Sequence, residues 1–231
     1  MSRHLFSRRI RSLYAVWYID ANLSTQANAN PSAFWLLYQI LLLPADMRAR
    51  VDIEIAPAFD PTTNRMVDPN YLIHNTPLLT SMYWEVLRIT AGSVSVREVE
   101  EDTMIGGYRF CKGGMVMLPL RLNHLNEDIF GDDVETFVPD RFIRDISGLP
   151  GDKKNPGIGV LKPFGGGTSL CPGRHFAIME ILVYVATVLR RFDMELVEGQ
   201  EVAVPLTDAP SIGTLPPDRD VRIKIKAKMS E

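Results

Sequence analysis

Residues 163–174 read Pro163-Phe164-Gly165-Gly166-Gly167-Thr168-Ser169-Leu170-Cys171-Pro172-Gly173-Arg174. Glycines in a row let the backbone approach a bulky neighbour, because no Cβ stands in the way. The stretch then delivers one cysteine to the head of an apolar segment, Phe176 to Leu189, broken by Glu180. That segment reads as a helix running from after Gly173 to about Phe192. The free N–H groups and partial positive charge of a helix start favour the thiolate of a cysteine placed there. Several chemistries share this local pattern. A phosphate-binding loop needs Lys then Ser or Thr after its last glycine, and that Lys is missing. A zinc site needs three or four ligands, and Cys171 with His175 supplies two. A cysteine nucleophile needs a base, for which His175 is a candidate. The plainest alternative is a buried cysteine that closes the turn before the helix.

Working outward, a second helix is signalled by Thr76 as its cap, Pro77 at its first position and Gly92 just past its end. Leu78, Leu79, Met82, Val86 and Ile89 follow helical spacing. A strand-like stretch, Ser93 to Val99, follows it. Tyr108–Cys111 and Met115–Leu118 flank Lys112-Gly113-Gly114, which predicts a hairpin between those two runs. From Arg121 to Gly159 the chain is rich in Asp, Pro and Gly and reads as a long irregular segment, a feature often functional in a compact protein. The tail Val221–Lys228 alternates Val221, Ile223, Ile225 and Ala227 with Arg222, Lys224, Lys226 and Lys228, a strand with one buried face. Its lysines suit a guarded edge.

Upstream, a helix is expected from about Leu23 to Leu43, ended by Pro44. Pro31 lies inside it and crowds the carbonyl of Ala27, so the helix should open or kink there. Asn28, Ser32 and Trp35 share one of its faces.

The whole chain has 231 residues, one to two domains at ~150 residues each. Hydrophobic residues make up 46% and charged residues 23%, which argues against wholesale disorder. A net charge of -3 speaks against a dedicated nucleic-acid binder. Two cysteines, Cys111 and Cys171, make no disulfide framework. The longest apolar runs, Ala33–Leu43 and Phe176–Leu189, fall short of the ~20 residues a spanning helix needs, so no membrane span is expected within this chain. Arg3, Arg8, Arg9 and Arg11 precede the apolar Leu13–Ile19, but Asp20 closes that run and no small-residue cleavage site follows. This reads as a solvated basic start.

Phe164-x-x-Gly167-x-x-x-Cys171-x-Gly173 resembles the haem-binding loop of the cytochrome P-450 superfamily. Glu85-x-x-Arg88 on the second helix resembles that family's helix K motif. Phe137-Val-Pro139-Asp140-Arg141-Phe142 resembles its Pro-Glu-Arg-Phe segment, with Asp140 in place of Glu. Each motif alone is weak, and Glu-x-x-Arg is common on helix surfaces. Their shared order and spacing make the combination specific. Gln26-Ala-Asn28-Ala-Asn30-Pro31-Ser32-Ala-Phe-Trp35, Cys171-Pro-Gly-Arg-His-Phe-Ala and Gly213-Thr-Leu-Pro-Pro217 are similar to the branch that includes sterol 7α-hydroxylases and prostacyclin synthase.

The resemblance implies a fold that is mainly α with small β-sheets, the C-terminal portion of the cytochrome P-450 fold. Residues 1–231 would be a partial domain, from the distal helix to the C-terminus, without the N-terminal half and membrane anchor. It implies haem b as cofactor, with Cys171 as the axial iron ligand and Phe164, Gly167 and Gly173 shaping the loop. A thiolate ligand pushes electron density onto iron and favours O–O cleavage. Arg97 would meet a haem propionate, and Glu85, Arg88 and Arg141 would form a buried structural triad. The partners implied are a lipophilic small-molecule substrate and an NADPH-dependent reductase docking near Arg174. A full-length relative would sit at the endoplasmic reticulum membrane.

Two positions depart from the commonest family pattern. Ser169 stands where an arginine usually lies, which weakens or moves one propionate contact. Asn30 and Pro31 occupy the places of the distal acid and threonine that help deliver protons to bound dioxygen, leaving Asn28 and Ser32 as candidate stand-ins. Prostacyclin synthase resembles this distal pattern and rearranges a peroxide without reductase electrons. Monooxygenase, peroxide isomerase and inactive haem-binding fragment therefore all remain open.

Overall fold

In the computed structural model, residues 27–146, 157–208 and 213–228 are described. The basic N-terminal stretch and residues Leu23–Gln26 of the expected first helix lie outside them. Three helices form the frame. Helix α1 covers residues 27–42, α4 spans Pro77–Thr90 and α8 spans Arg174–Arg191. Between the first two lie α2 (Ala45–Ile55) and α3 (Pro69–His74).

Helix α4 is buried along nearly its whole length, its polar Thr80, Ser81, Glu85, Arg88 and Thr90 included. Trp35, Leu36 and Ile40 of α1, Val51 and Ile55 of α2 and Ile181, Leu182 and Val185 of α8 close one continuous core with it. A smaller core of Phe130, Val134, Phe142 and Leu161 packs on the other side of Trp84. The fold is helix-rich with small antiparallel sheets, as the sequence implies.

Several local expectations are corrected. Helix α1 runs through Pro31 without a break. Proline removes only its own N–H, and the Ser32 hydroxyl donates to the neighbouring Asn28 carbonyl at 2.7 Å. Thr76 does not cap α4 with its side chain. Its hydroxyl donates to Leu72 O at 2.5 Å. The Glu54 carboxylate of α2 instead accepts from Leu78 N and Leu79 N at 2.8 and 2.9 Å. An anion is the stronger partner for a helix start.

The hairpin is not where it was expected. Strands β1 (Val94–Glu98), β2 (Thr103–Ile105), β3 (Tyr108–Phe110) and β4 (Met115–Pro119) pair as β1 with β4 and β2 with β3. The tight turn is Gly106-Gly107, both at positive φ, the geometry a two-residue hairpin loop demands. Lys112-Gly113-Gly114 is a return loop that bonds back to Val99.

The Arg121–Gly159 stretch carries short helical turns where it is described: α5 (Leu120–His124), α6 (Glu127–Phe130) and α7 (Ile143–Ile146). Turns of four or five residues are too short to show a period. The tail strand β6 (Ile223–Ala227) forms and pairs with β5 (Phe192–Leu196), a strand that starts where α8 ends. The apolar side of β6 is not buried: Ile223 and Ile225 are exposed, and it is Met194 of the partner strand that reaches the main core.

Candidate functional site

The 163–174 loop is folded on itself. Cys171 N donates to Phe164 O at 3.0 Å, and Leu170 N to Gly167 O at 3.2 Å. Gly165 and Gly167 both take positive φ, which glycine adopts without strain. Gly173 immediately precedes α8, and a Cβ there would stand 3.8 Å from Cys171 Sγ. Cys171 is half-buried, whereas Cys111 is exposed.

Arg97 braces this loop from β1. Alternation along the strand puts Val94 and Val96 on one face and Arg97 on the other. Its guanidinium donates to Gly166 O at 2.8 Å and to its own neighbour Val96 O at 2.8 Å, two of its five N–H groups. Ser169 makes only a local hydrogen bond, to Gly166 O at 3.3 Å. Arg174 turns back onto Cys171 O at 3.2 Å. Trp84 of α4 stands edge-on to Phe164, ring centroids 6.3 Å apart.

Glu85, Arg88 and Arg141 meet between α4 and the 124–141 segment. Arg88 grips Glu85 with two hydrogen bonds of 2.8 Å, and Arg141 Nε reaches Glu85 Oε1 at 3.0 Å. Glu85 and Arg88 are fully buried. Arg88 also donates to the carbonyls of His124, Val134 and Thr136 and lies over the Phe130 ring at 5.1 Å. Arg141 adds Asp133 Oδ1 at 3.0 Å and Phe130 O at 3.1 Å. Burial alone would lower the Arg141 pKa, but the Glu85 and Asp133 charges outweigh it and hold the pKa above its ordinary value. Bidentate, carbonyl-satisfied geometry is how such charges tolerate burial. The network ties α4 to the 124–141 segment.

Asn28 and Ser32 belong to a different cluster. Thr214 N donates to Asn28 Oδ1 at 2.9 Å, the Ser32 and Thr214 hydroxyls are 2.9 Å apart, and Trp35 Nε1 donates to Leu215 O at 2.7 Å. Ser32 gives its hydrogen to Asn28 O, so Thr214 is the donor between the two hydroxyls. The distal-helix pattern and the Gly213–Pro217 pattern, read separately in the sequence, are two sides of one contact.

Two groups here escaped sequence reading. His124 is fully buried and accepts from Lys162 N through Nε2 at 2.9 Å. Burial first, then the Arg88, Arg121 and Lys162 charges, push its pKa down to about 4. Tyr83 is fully buried on α4 and its hydroxyl has no hydrogen-bond partner. Neither sits in a recognisable motif, so only the packing of distant segments reveals them.

Residues 30–223 match the cytochrome P-450 family, and the chain belongs to it. It is 30% identical over 237 aligned positions to cytochrome P-450 7A1 of Sus scrofa, covering 96% of this chain and 46% of that protein. It is 33% identical over 217 positions to the 25-hydroxycholesterol 7-alpha-hydroxylase of Rattus norvegicus, covering 87% and 51%. The crystal structure of a cytochrome P-450 superposes with a TM-score of 0.71 at 25% identity, covering 87% of this chain and 42% of that one. These relatives put the chain in the sterol 7α-hydroxylase branch, and it spans about half the length of the curated proteins it matches.

Family membership implies a haem cofactor, and the residues fit one. A single half-buried cysteine heads a long helix, and its loop is kept open by glycines. An arginine with N–H groups to give stands beside it. Among the described residues no other group of His, Cys, Asp and Glu is arranged to hold a metal.

Proposed function

We propose that this chain is the haem-bearing C-terminal portion of a haem-thiolate monooxygenase. In this reading it inserts one atom of dioxygen into a lipophilic small molecule. The observation that carries the proposal is Cys171 at the head of α8, in a loop braced by Arg97. Haem b bound there supplies redox chemistry at iron, and a thiolate on the iron favours O–O cleavage. Cys171 is the ligand, and Phe164, Gly167 and Gly173 shape its loop. Arg97 offers its remaining N–H groups to a propionate. Glu85, Arg88 and Arg141 serve the fold, tying α4 to the 124–141 segment. Asn28 and Ser32, with Thr214, supply the polar groups of the distal helix, where the usual acid and threonine are replaced by Asn30 and Pro31. Electrons come from an NADPH-dependent reductase docking near Arg174. The endoplasmic reticulum membrane is the proposed location of a full-length relative. Among the described residues no helix is long and apolar enough to cross a membrane.

The Asn30-Pro31 pair favours one second reading, a haem-thiolate isomerase of a lipid peroxide, because that reaction needs no proton delivery to dioxygen. An inactive haem-binding fragment is the third outcome. Incubating the haem-loaded chain with a sterol, NADPH and reductase, and in parallel with a lipid endoperoxide alone, separates them. The proposal expects hydroxylated sterol that depends on reductase. Endoperoxide rearrangement without reductase selects the isomerase. Haem uptake with neither product overturns both activities.

A further inference from the structure

A cavity of about 600 Å³ lies at the far end of α8 from the cysteine loop, between α1, α2 and the β5–β6 ribbon. Leu189 on its wall is fifteen residues past Arg174 on α8, about 22 Å along the helix. The cavity is therefore separate from the Cys171 site. Its volume falls in the range of small-molecule pockets, about 300–1,000 Å³. Ile40, Leu41, Val51, Leu189, Phe192 and Met194 give it an apolar side. Charged residues line the rest: Arg48 and Asp52 from α2, Asp193 and Glu195 from β5, and Lys224, Lys226 and Lys228 from the tail.

These charges are not equally engaged. Asp193 stands opposite Lys226 and Glu195 opposite Lys224 across the ribbon, so each acid of β5 has a cation beside it. Lys228 Nζ donates to Leu189 O at 2.8 Å and lies 3.7 Å from Asp193. Arg48 differs from all of them. Its Nε is shut off from solvent and donates to nothing. Among the described residues it forms no ion pair with Asp52, one turn along α2. A charged N–H kept from water without an acceptor is unfavourable, and this one borders a cavity rather than packed core.

We propose that this cavity is a second ligand site, for an amphiphilic carboxylate such as a fatty acid. The head group accepts from Arg48, whose planar fork matches a carboxylate. The hydrocarbon lies along Ile40, Leu41, Leu189 and Met194. Four cationic side chains line the cavity against three acidic ones, which favours an anion over a cation. A neutral amphiphile of the same length buries the same apolar area but leaves the Arg48 charge unanswered.

The test is equilibrium dialysis of the 231-residue chain, with and without hemin, against dodecanoate, dodecanol and dodecyltrimethylammonium, each below its micelle concentration. Dodecanoate should bind at one site per chain and more tightly than the other two. Arg48→Met keeps the stem and removes the charge. It should weaken dodecanoate about tenfold or more, the worth of a hydrogen bond to a charged group, and leave dodecanol unchanged. Ala49→Glu, at an exposed position on the same wall, sets a competing carboxylate beside Arg48 and should give the same loss. It carries the test if Arg48→Met does not fold. Arg50→Met removes an exposed arginine outside the cavity and should leave dodecanoate binding as it was. Equal affinities for the three amphiphiles overturn the proposal, as does an equal loss in Arg50→Met, which marks a general surface-charge effect. Dodecanoate binding that survives both Arg48→Met and Ala49→Glu also overturns it, and a Soret shift accompanying such binding places the carboxylate at the haem site instead.

Discussion

Gly213 has no room for a side chain, because a Cβ there would overlap the Asn28 amide. That close approach lies where α1 bonds to the 213–215 segment. Gly213→Ala should lower stability by about 1–3 kcal/mol, the usual range for overpacking. Asn28→Ala should cost about 1 kcal/mol, the net worth of a lost hydrogen bond to Thr214 N. The double variant should be more stable than the sum of the two losses, since removing the amide clears the space. Thermal melts of the three variants check this, and simple additivity would contradict it. At Glu85 the stakes are larger. Glu85→Ala leaves two arginines buried without their shared anion and should cost ~3–5 kcal/mol. Because the three residues form one network, Glu85→Ala with Arg88→Ala should be little worse than Glu85→Ala alone in denaturant unfolding. Glu85, Arg88, Arg141 and Cys171 could be singled out in the sequence because fixed spacing carries their pattern. Tyr83 and His124 could not, because their significance arises only where the 83–88, 124 and 162–171 segments converge.

Helix α4 and the turns packed around it are sensitive to pH through His124. Its folded pKa, about 4, lies below the 6.5 of an unfolded histidine. The unfolded chain therefore binds the proton more readily. The stabilising contribution is fully present above pH 6.5 and is lost as pH falls toward 4. Across that window the loss should be no more than about 3 kcal/mol. Arg88, Arg121 and Lys162 surround the imidazole and make its protonation unfavourable. His124→Gln keeps an acceptor for Lys162 N but cannot titrate. Its unfolding midpoint should fall less steeply between pH 6.5 and 4 than that of the wild type. Parallel curves would remove His124 from the account. The long helices were legible because a period of 3.6 repeats several times in each. The sheet pairing was misread because two Gly-Gly steps, 106–107 and 113–114, compete for the same turn. Only the pairing of β1 with β4 decides between them. The α4 cap was misread because Glu54 is remote in sequence from the helix it caps.

Across the molecule, the closed core lies between α1, α2, α4 and α8, while other apolar faces are open. Phe176 and Tyr184 on α8 are 63% and 54% exposed, and Met115 and Met117 on the β1–β4 sheet are 66% and 65% exposed. Exposed apolar side chains of this size favour association where they adjoin. Residues 1–231 expressed as such should therefore form oligomers or aggregates in size-exclusion chromatography. A cooperatively melting monomer would show those faces to be tolerated. The central claim, that Cys171 holds a haem iron, is tested most directly by the carbon monoxide difference spectrum of the reduced, hemin-reconstituted protein. The thiolate signature should be present in the wild type, retained in Cys111→Ala, whose cysteine is exposed, and lost in Cys171→Ala. Its retention in Cys171→Ala, or its loss in Cys111→Ala, would contradict the account.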